Sequence, residues 1–167
     1  MNAALEPFSP LIRSWFSRLG EPTDAQTLAW PHIVAGEHLV VSAPTGSGKT
    51  LTAFLWSINQ FLTGALAPGA TRVLYISPLK ALNNDVRRNL LSPLAELAEM
   101  AADQGEPFPR IRVQTRSGDT EQGDRRRMLR HPPEILITTP ESLNLLLSSK
   151  GGQSILQSID KVILDEI

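Results

Sequence analysis

Residues 42–50 read SAPTGSGKT, and no other stretch limits the possible folds so tightly. Gly46 and Gly48 run straight into Lys49 and Thr50, the ending of the pattern G-x-x-x-x-G-K-[ST]. That pattern cradles phosphates only where a strand enters it and a helix leaves it, so both flanks have to agree. Leu39, Val40 and Val41 precede it and predict a short buried strand. Leu51, Phe54, Leu55, Ile58, Phe61 and Leu62 follow at helical spacing until Gly64, which predicts a helix. The first pattern position is Ala43 instead of glycine, a small loss of backbone freedom.

The residue types suit a triphosphate. Gly46 and Gly48 can adopt positive φ and turn backbone amides inward as an anion nest. The helix beginning near Lys49 adds the positive end of its dipole. Lys49 is expected to act catalytically on the β- and γ-phosphates, and Thr50 to offer its hydroxyl to Mg²⁺. The expected cradle is therefore Ala43, Pro44, Thr45, Gly46, Ser47, Gly48, Lys49 and Thr50. LDEI at 164–167 is its natural complement: Asp165 for Mg²⁺, and Glu166 to take a proton from an attacking water. Two acids in isolation are an ordinary solvated pair; beside a phosphate cradle they form a site. Gln26 could pair with N6 and N7 of adenine, which makes ATP the expected nucleotide, although spacing alone leaves it a surface glutamine.

Alternation continues along the chain. Strands are predicted at 72–77, 111–115, 134–139 and from 161 onward, with loops at 68–70 and 103–110. A helix is predicted from Thr23 or Asp24 to Gly36, another over 80–100 that Pro93 breaks or kinks, and another over 141–149. Upstream, 5–19 has helical spacing interrupted by Pro7 and Pro10. Strands alternating with helices predict an α/β fold, a mainly parallel sheet with helices on both faces and ligands at the carboxyl ends of the strands. At 167 residues, 41% hydrophobic and 20% charged, the chain suits one globular domain. A net charge of −1 supplies no general basic field, so any nucleic-acid binding must be local. The absence of cysteine rules out disulfides and thiolate chemistry, and no apolar run is long enough for a membrane span. With no signal-peptide pattern, a cytoplasmic protein is expected. Trp15, Trp30 and Trp56 are expected in the core.

In sequence order, EPTDAQ resembles a Q motif, APTGSGKT motif I, SPLKAL motif Ia, RSGDT the region after it, TTPESL motif Ib, and LDEI motif II short of its last letter. Together they resemble the first RecA-like motor domain of a superfamily-two DExH helicase. YISPLKALNNDVRRNL, RSGDT and ITTPESLNLLL are most similar to the large helicase-related (Lhr) proteins of bacteria and archaea. The likeness covers residues 11–167. It implies a RecA-like P-loop domain truncated after motif II, with 1–36 as N-terminal helices carrying the Q motif. The second RecA-like domain would lie outside the chain. It also implies ATP-driven 3′ to 5′ translocation on single-stranded DNA or RNA, unwinding of DNA or RNA–DNA duplexes, a role in DNA repair and a nucleoid-associated place in a prokaryotic cell. A fragment of this extent is expected to be inactive alone. The RecA-like order places a later strand between those of motifs I and II, so 39–42 and 162–165 are expected to share no ladder.

Both SPLK and TTPES sit at strand-to-helix junctions, where helix N-termini can bind phosphates or simply be capped. With the resemblance, the expected nucleic-acid contacts are Pro78, Lys80, Arg116, Gly118, Thr139 and Pro140. The basic run at 125–132 could be a further phosphate contact or a solvated helix face. Two other readings stay open: a different superfamily-two translocase, such as a DEAD-box RNA helicase, and a nucleotide-binding module without turnover.

Overall fold

A computed structural model describes residues 3–78 and 86–166, with the Arg87 side chain left aside. The chain divides into two compact units. One comprises Met1–Ala65 with Asp85–Phe108, the other Leu66–Asn84 with Pro109–Ile167.

The first unit is helical: α1 (Pro10–Phe16), α2 (Asp24–Val34), α3 (Lys49–Leu62) and α4 (Ser92–Asp103), with a π-helical turn at Arg87–Leu91 before α4. Local chemistry sets their starts. Ser9 caps α1 and Pro10 takes its first position, where a missing N–H costs nothing. Thr23 and Gln26 form a reciprocal capping box on α2. Pro93 falls in the first turn of α4, so the predicted break occurs there. Phe8, Trp30 and Trp56 meet edge-to-face, as do Phe16 and Trp30, at centroid separations of 5.0–5.5 Å. Trp15 and Trp30 are buried, and their indole N–H groups donate to Glu96 (2.7 Å) and to the Thr52 carbonyl (3.2 Å). Trp15 and Trp30 are core, as expected, whereas Trp56 is half-buried.

The second unit is a four-stranded parallel sheet, β1 (Val73–Ile76), β2 (Val113–Arg116), β3 (Ile135–Thr138) and β4 (Lys161–Leu164), in the order β2-β3-β1-β4. The two inner strands are buried throughout, whereas β4 leaves Val162 and Leu164 more than half exposed. Three helices alternate with the strands in the chain: α5 (Gln122–Arg130) between β2 and β3, and α6 (Pro140–Leu147) and α7 (Lys150–Leu156) between β3 and β4. Met128, Leu146 and Ile155 pack on Leu74, Ile76 and Leu136, joining all three helices to one sheet face. No helix among the described residues is long and apolar enough to cross a membrane.

One expectation is corrected. Residues 39–42 are not a strand: they join no ladder among the described residues, and Val40 is 93% exposed. An apolar trio becomes a strand only when a neighbour takes up its amides and carbonyls, and none among the described residues does so.

The unpredicted helix α7, KGGQSIL, is explained by close packing. A Cβ on Gly152 would lie 2.1 Å from the Leu146 carbonyl oxygen and 2.6 Å from its Cα. Both obstacles are backbone, so Gly152→Ala is expected to destabilise the protein by about 2–3 kcal/mol. Gly123, inside α5 with open space around it, gives the contrast. Gly123→Ala is expected to stabilise by about 0.5–1 kcal/mol. Urea melts that rank these two variants the other way would refute the packing account.

Candidate nucleotide and nucleic-acid sites

The glycine loop takes the backbone form its sequence demands. Gly46 (φ 84°) and Gly48 (φ 80°) both occupy the left-handed region, and Gly48 is the N-cap of α3. Ser47 N–H donates to the Pro44 carbonyl at 3.2 Å, closing a turn. The Gly46 and Gly48 amides donate to no backbone acceptor among the described residues. Ser47 Oγ is buried without a hydrogen-bond partner among them. Lys49 folds back over the loop, donating to the carbonyls of Ala43 and Pro44, the latter at 2.9 Å. Thr50 is the second residue of α3, and the Thr52 hydroxyl donates to the Gly48 carbonyl at 2.7 Å. Uncommitted amides, an orphaned hydroxyl and a lysine engaged only by carbonyls suit a polyanion.

The Q segment is clamped onto this loop. Thr23 Oγ1 donates to the Ser47 carbonyl at 2.7 Å while accepting from Gln26 N–H. Gln26 Oε1 accepts from Thr23 N–H at 2.9 Å. The side chain is 3% exposed, and its Nε2 would lie 2.7 Å from any Cβ at position 48. A glycine at 48 is therefore required by φ, and any side chain there would also have to displace the Gln26 amide. Gln26 thus serves the helix cap and abuts the loop, a dual role that its spacing alone did not reveal.

In the second unit, Asp165 follows β4 directly. Its N–H donates to the Ile76 carbonyl at 2.9 Å, prolonging the ladder, and its Oδ2 accepts from the buried Tyr75 hydroxyl at 2.6 Å. Sequence reasoning missed Tyr75, which lies ninety positions away. Glu166 is exposed at φ 56°, the one non-glycine in the left-handed region among the described residues. Among those residues no three His, Asp or Glu side chains make a ready metal site. Mg²⁺ on a triphosphate needs no such cluster, because phosphate oxygens and waters fill most of its shell.

The expected nucleic-acid residues divide by exposure. Pro78, Gly118 and Pro140 are exposed, and Arg116 is half-buried at the carboxyl end of β2. Thr139 is 1% exposed and its hydroxyl accepts from Ser142 N–H, capping α6. Any strand there would meet Pro140 and backbone, not that hydroxyl. Lys80 lies outside the described residues.

Opposite these groups, at the amino ends of the strands, Glu134 is buried. Its Oε2 accepts from Arg112 N–H (2.8 Å) and Nε (3.1 Å), and its Oε1 from Arg112 Nη2 (3.1 Å) and Gly69 N–H (2.8 Å). Burial pushes this carboxyl up, but the hydrogen bonds from Arg112 and Gly69 outweigh it and hold it below the ordinary range. The same hydrogen bond raises the Arg112 guanidinium.

Comparison with known proteins agrees with this picture. A profile of the DEAD/DEAH box helicase family matches residues 23–167. The chain is 50% identical over 162 residues to a Lhr helicase/probable uracil glycosylase of Mycolicibacterium smegmatis, covering 96% of this chain and 11% of that protein. It is 42% identical over 160 residues to the ATP-dependent helicase Lhr-Core of Methanocaldococcus jannaschii, covering 93% and 19%. The chain thus spans about a tenth to a fifth of these relatives. Its structure resembles that of Mycobacterium smegmatis helicase Lhr bound to ssDNA and AMP-PNP, with a TM-score of 0.89 at 49% identity over 98% of this chain and 21% of that one. The DUF1998 helicase MrfA bound to DNA and AMPPNP gives a TM-score of 0.69 at 26% identity, over 95% and 21%. With its parallel RecA-like sheet and its glycine loop, the chain belongs to the DEAD/DEAH box helicase family and is homologous to the Lhr helicases.

Proposed function

We propose that this chain is the ATP- and single-strand-binding part of an ATP-dependent helicase that translocates on nucleic acid and unwinds DNA or RNA–DNA duplexes. One observation carries the reading: the 43–50 loop keeps the Gly46 and Gly48 amides uncommitted beside Lys49 and a buried, partnerless Ser47 hydroxyl. Lys49 would exchange its carbonyl partners for phosphate oxygens, a stronger, charge-assisted bond. Gln26 is assigned to adenine, within reach of the loop it already abuts.

Thr50 and Asp165 are the ligands assigned to Mg²⁺, which when bound neutralises charge on the β- and γ-phosphates. The Tyr75 hydroxyl donates to one Asp165 oxygen, which would hold the carboxylate in a defined orientation for the ion. Glu166 is assigned to the attacking water, and its left-handed backbone is the kind of strain that clusters at functional positions. Pro78, Lys80, Arg116, Gly118, Thr139 and Pro140 are assigned to the strand. The relatives' structures that contain ssDNA or DNA with AMP-PNP or AMPPNP support both ligand classes. Because the chain spans so little of its relatives, binding is assigned to it and turnover to the whole protein, in a prokaryotic cytoplasm at the nucleoid, with DNA repair as its setting.

Calorimetry of the chain with Mg-ATP, together with ATP hydrolysis by the whole protein with and without single-stranded DNA, tests this. Micromolar-range binding and strand-stimulated hydrolysis are expected. Binding without any turnover in the whole protein would reduce the reading to a nucleotide-binding module.

A further inference from the structure

The turn that follows β2 is held from behind by a single arginine. Arg125, on α5, donates through Nη2 to the Gly118 carbonyl at 2.8 Å and to the Ser117 carbonyl at 3.4 Å. Thr120 closes the turn, its N–H donating to the Ser117 carbonyl (3.2 Å) and its Oγ1 accepting from Ser117 N–H (2.9 Å). Thr138 Oγ1 donates to the Arg116 carbonyl at 2.8 Å. The carbonyls of 116, 117 and 118 are therefore all engaged by the protein.

In a trans peptide the N–H lies opposite the C=O, and the chain has no cis bond among the described residues. The Gly118 and Asp119 amides consequently point away from Arg125. They donate to no acceptor among the described residues, and both residues are exposed.

The charges nearby are unbalanced. Neither Arg116 nor Arg125 has a carboxylate partner among the described residues; Asp124 pairs with Arg127 at 3.7 Å, and Asp119 and Glu121 are exposed. Arg125 Nε is shut off from solvent with no hydrogen-bond partner. Burial lowers the Arg116 guanidinium below its ordinary range, and repulsion from Arg125 lowers it further. An anion held by the outward amides and the Arg116 guanidinium would offset that repulsion.

We propose that Arg125 is a positioning residue of the nucleic-acid interface: it holds the 117–120 turn so that the Gly118 and Asp119 amides and the Arg116 guanidinium seat one backbone phosphate of a single strand. This rests on the nucleic-acid reading above, which already assigns Arg116 and Gly118. The seat reads no base, as a translocating protein requires.

The test is fluorescence anisotropy of a labelled oligothymidine against the unaltered chain, Arg116→Gln, Arg125→Gln and Arg125→Lys, each at several salt concentrations. Arg116→Gln removes one phosphate contact, so the log–log salt slope becomes shallower by about 0.7. Arg125→Gln is expected to lower affinity roughly tenfold with the same loss of slope. Arg125→Lys keeps the charge but not the planar fork, so affinity falls about threefold with the slope retained. An Arg125→Gln chain with unchanged affinity or slope overturns the role of Arg125 alone. If that variant does not fold by circular dichroism, Arg125→Lys decides, and binding identical to the unaltered chain overturns positioning. An unaltered chain that does not bind the oligonucleotide overturns the nucleic-acid reading and the seat together.

Discussion

Lys49→Ala is expected to weaken ATP binding to this chain by two to three orders of magnitude, the ~2–5 kcal/mol that follows loss of one member of a desolvated charge pair. Lys49 is the only charged side chain within the 43–50 loop, and its ammonium is held by carbonyls of that same loop. Main-chain amides and the α3 dipole would remain in the variant, so residual binding at millimolar nucleotide is expected. The fold should not suffer, because the Pro44 contact is exposed and closes no core. Calorimetry with Mg-ATP measures the affinity, and a thermal melt controls for folding. An unchanged affinity with an unchanged melt would remove Lys49, and with it the cradle, from the nucleotide site.

Much of this site was legible because its chemistry is local. Positive φ at Gly46 and Gly48 follows from residue type, and the helix after Lys49 from six apolar residues at helical spacing. The four strands of the sheet were equally legible: β1 and β3 are short apolar runs bounded by turn residues, buried on both faces of a parallel sheet. Local signals of this kind need no knowledge of what lies across the fold.

What escaped the sequence depends on distant neighbours. Residues 39–42 carry strand composition but no strand, because pairing is a property of two segments. The helix α7 has two glycines in seven residues and a poor propensity, yet forms because Gly152 lets its backbone meet Leu146. Tyr75 reads as a core residue of an apolar strand; only pairing with β4 brings its hydroxyl to Asp165. Arg125 reads as one arginine in a basic run, and its grip on the turn after β2 appears only in the fold. Glu134 is likewise ordinary in sequence, an acid at the start of a strand.

Glu134→Gln is expected to destabilise the protein by about 3 kcal/mol, since a buried carboxylate that accepts four hydrogen bonds is lost and the half-buried Arg112 loses its counter-charge. For a chain of this size that corresponds to a melting temperature about 6–12 °C lower. The effect is large because one carboxylate, itself just before β3, collects donors from Arg112 before β2 and Gly69 before β1. It fastens the amino ends of three strands whose carboxyl ends lead to Pro78, Arg116 and Thr139. The dependence on pH has a definite sign. The folded Glu134 carboxyl lies below its unfolded value of about 4.3, so its contribution is complete above that pH and is lost as pH falls through the folded value. Acidification below about pH 4.3 should therefore lower the melting temperature of the unaltered chain more steeply than that of Glu134→Gln, whose amide does not titrate. A Glu134→Gln chain that melts within a degree of the unaltered one, with a parallel acid profile, would show that the sheet does not depend on this carboxylate.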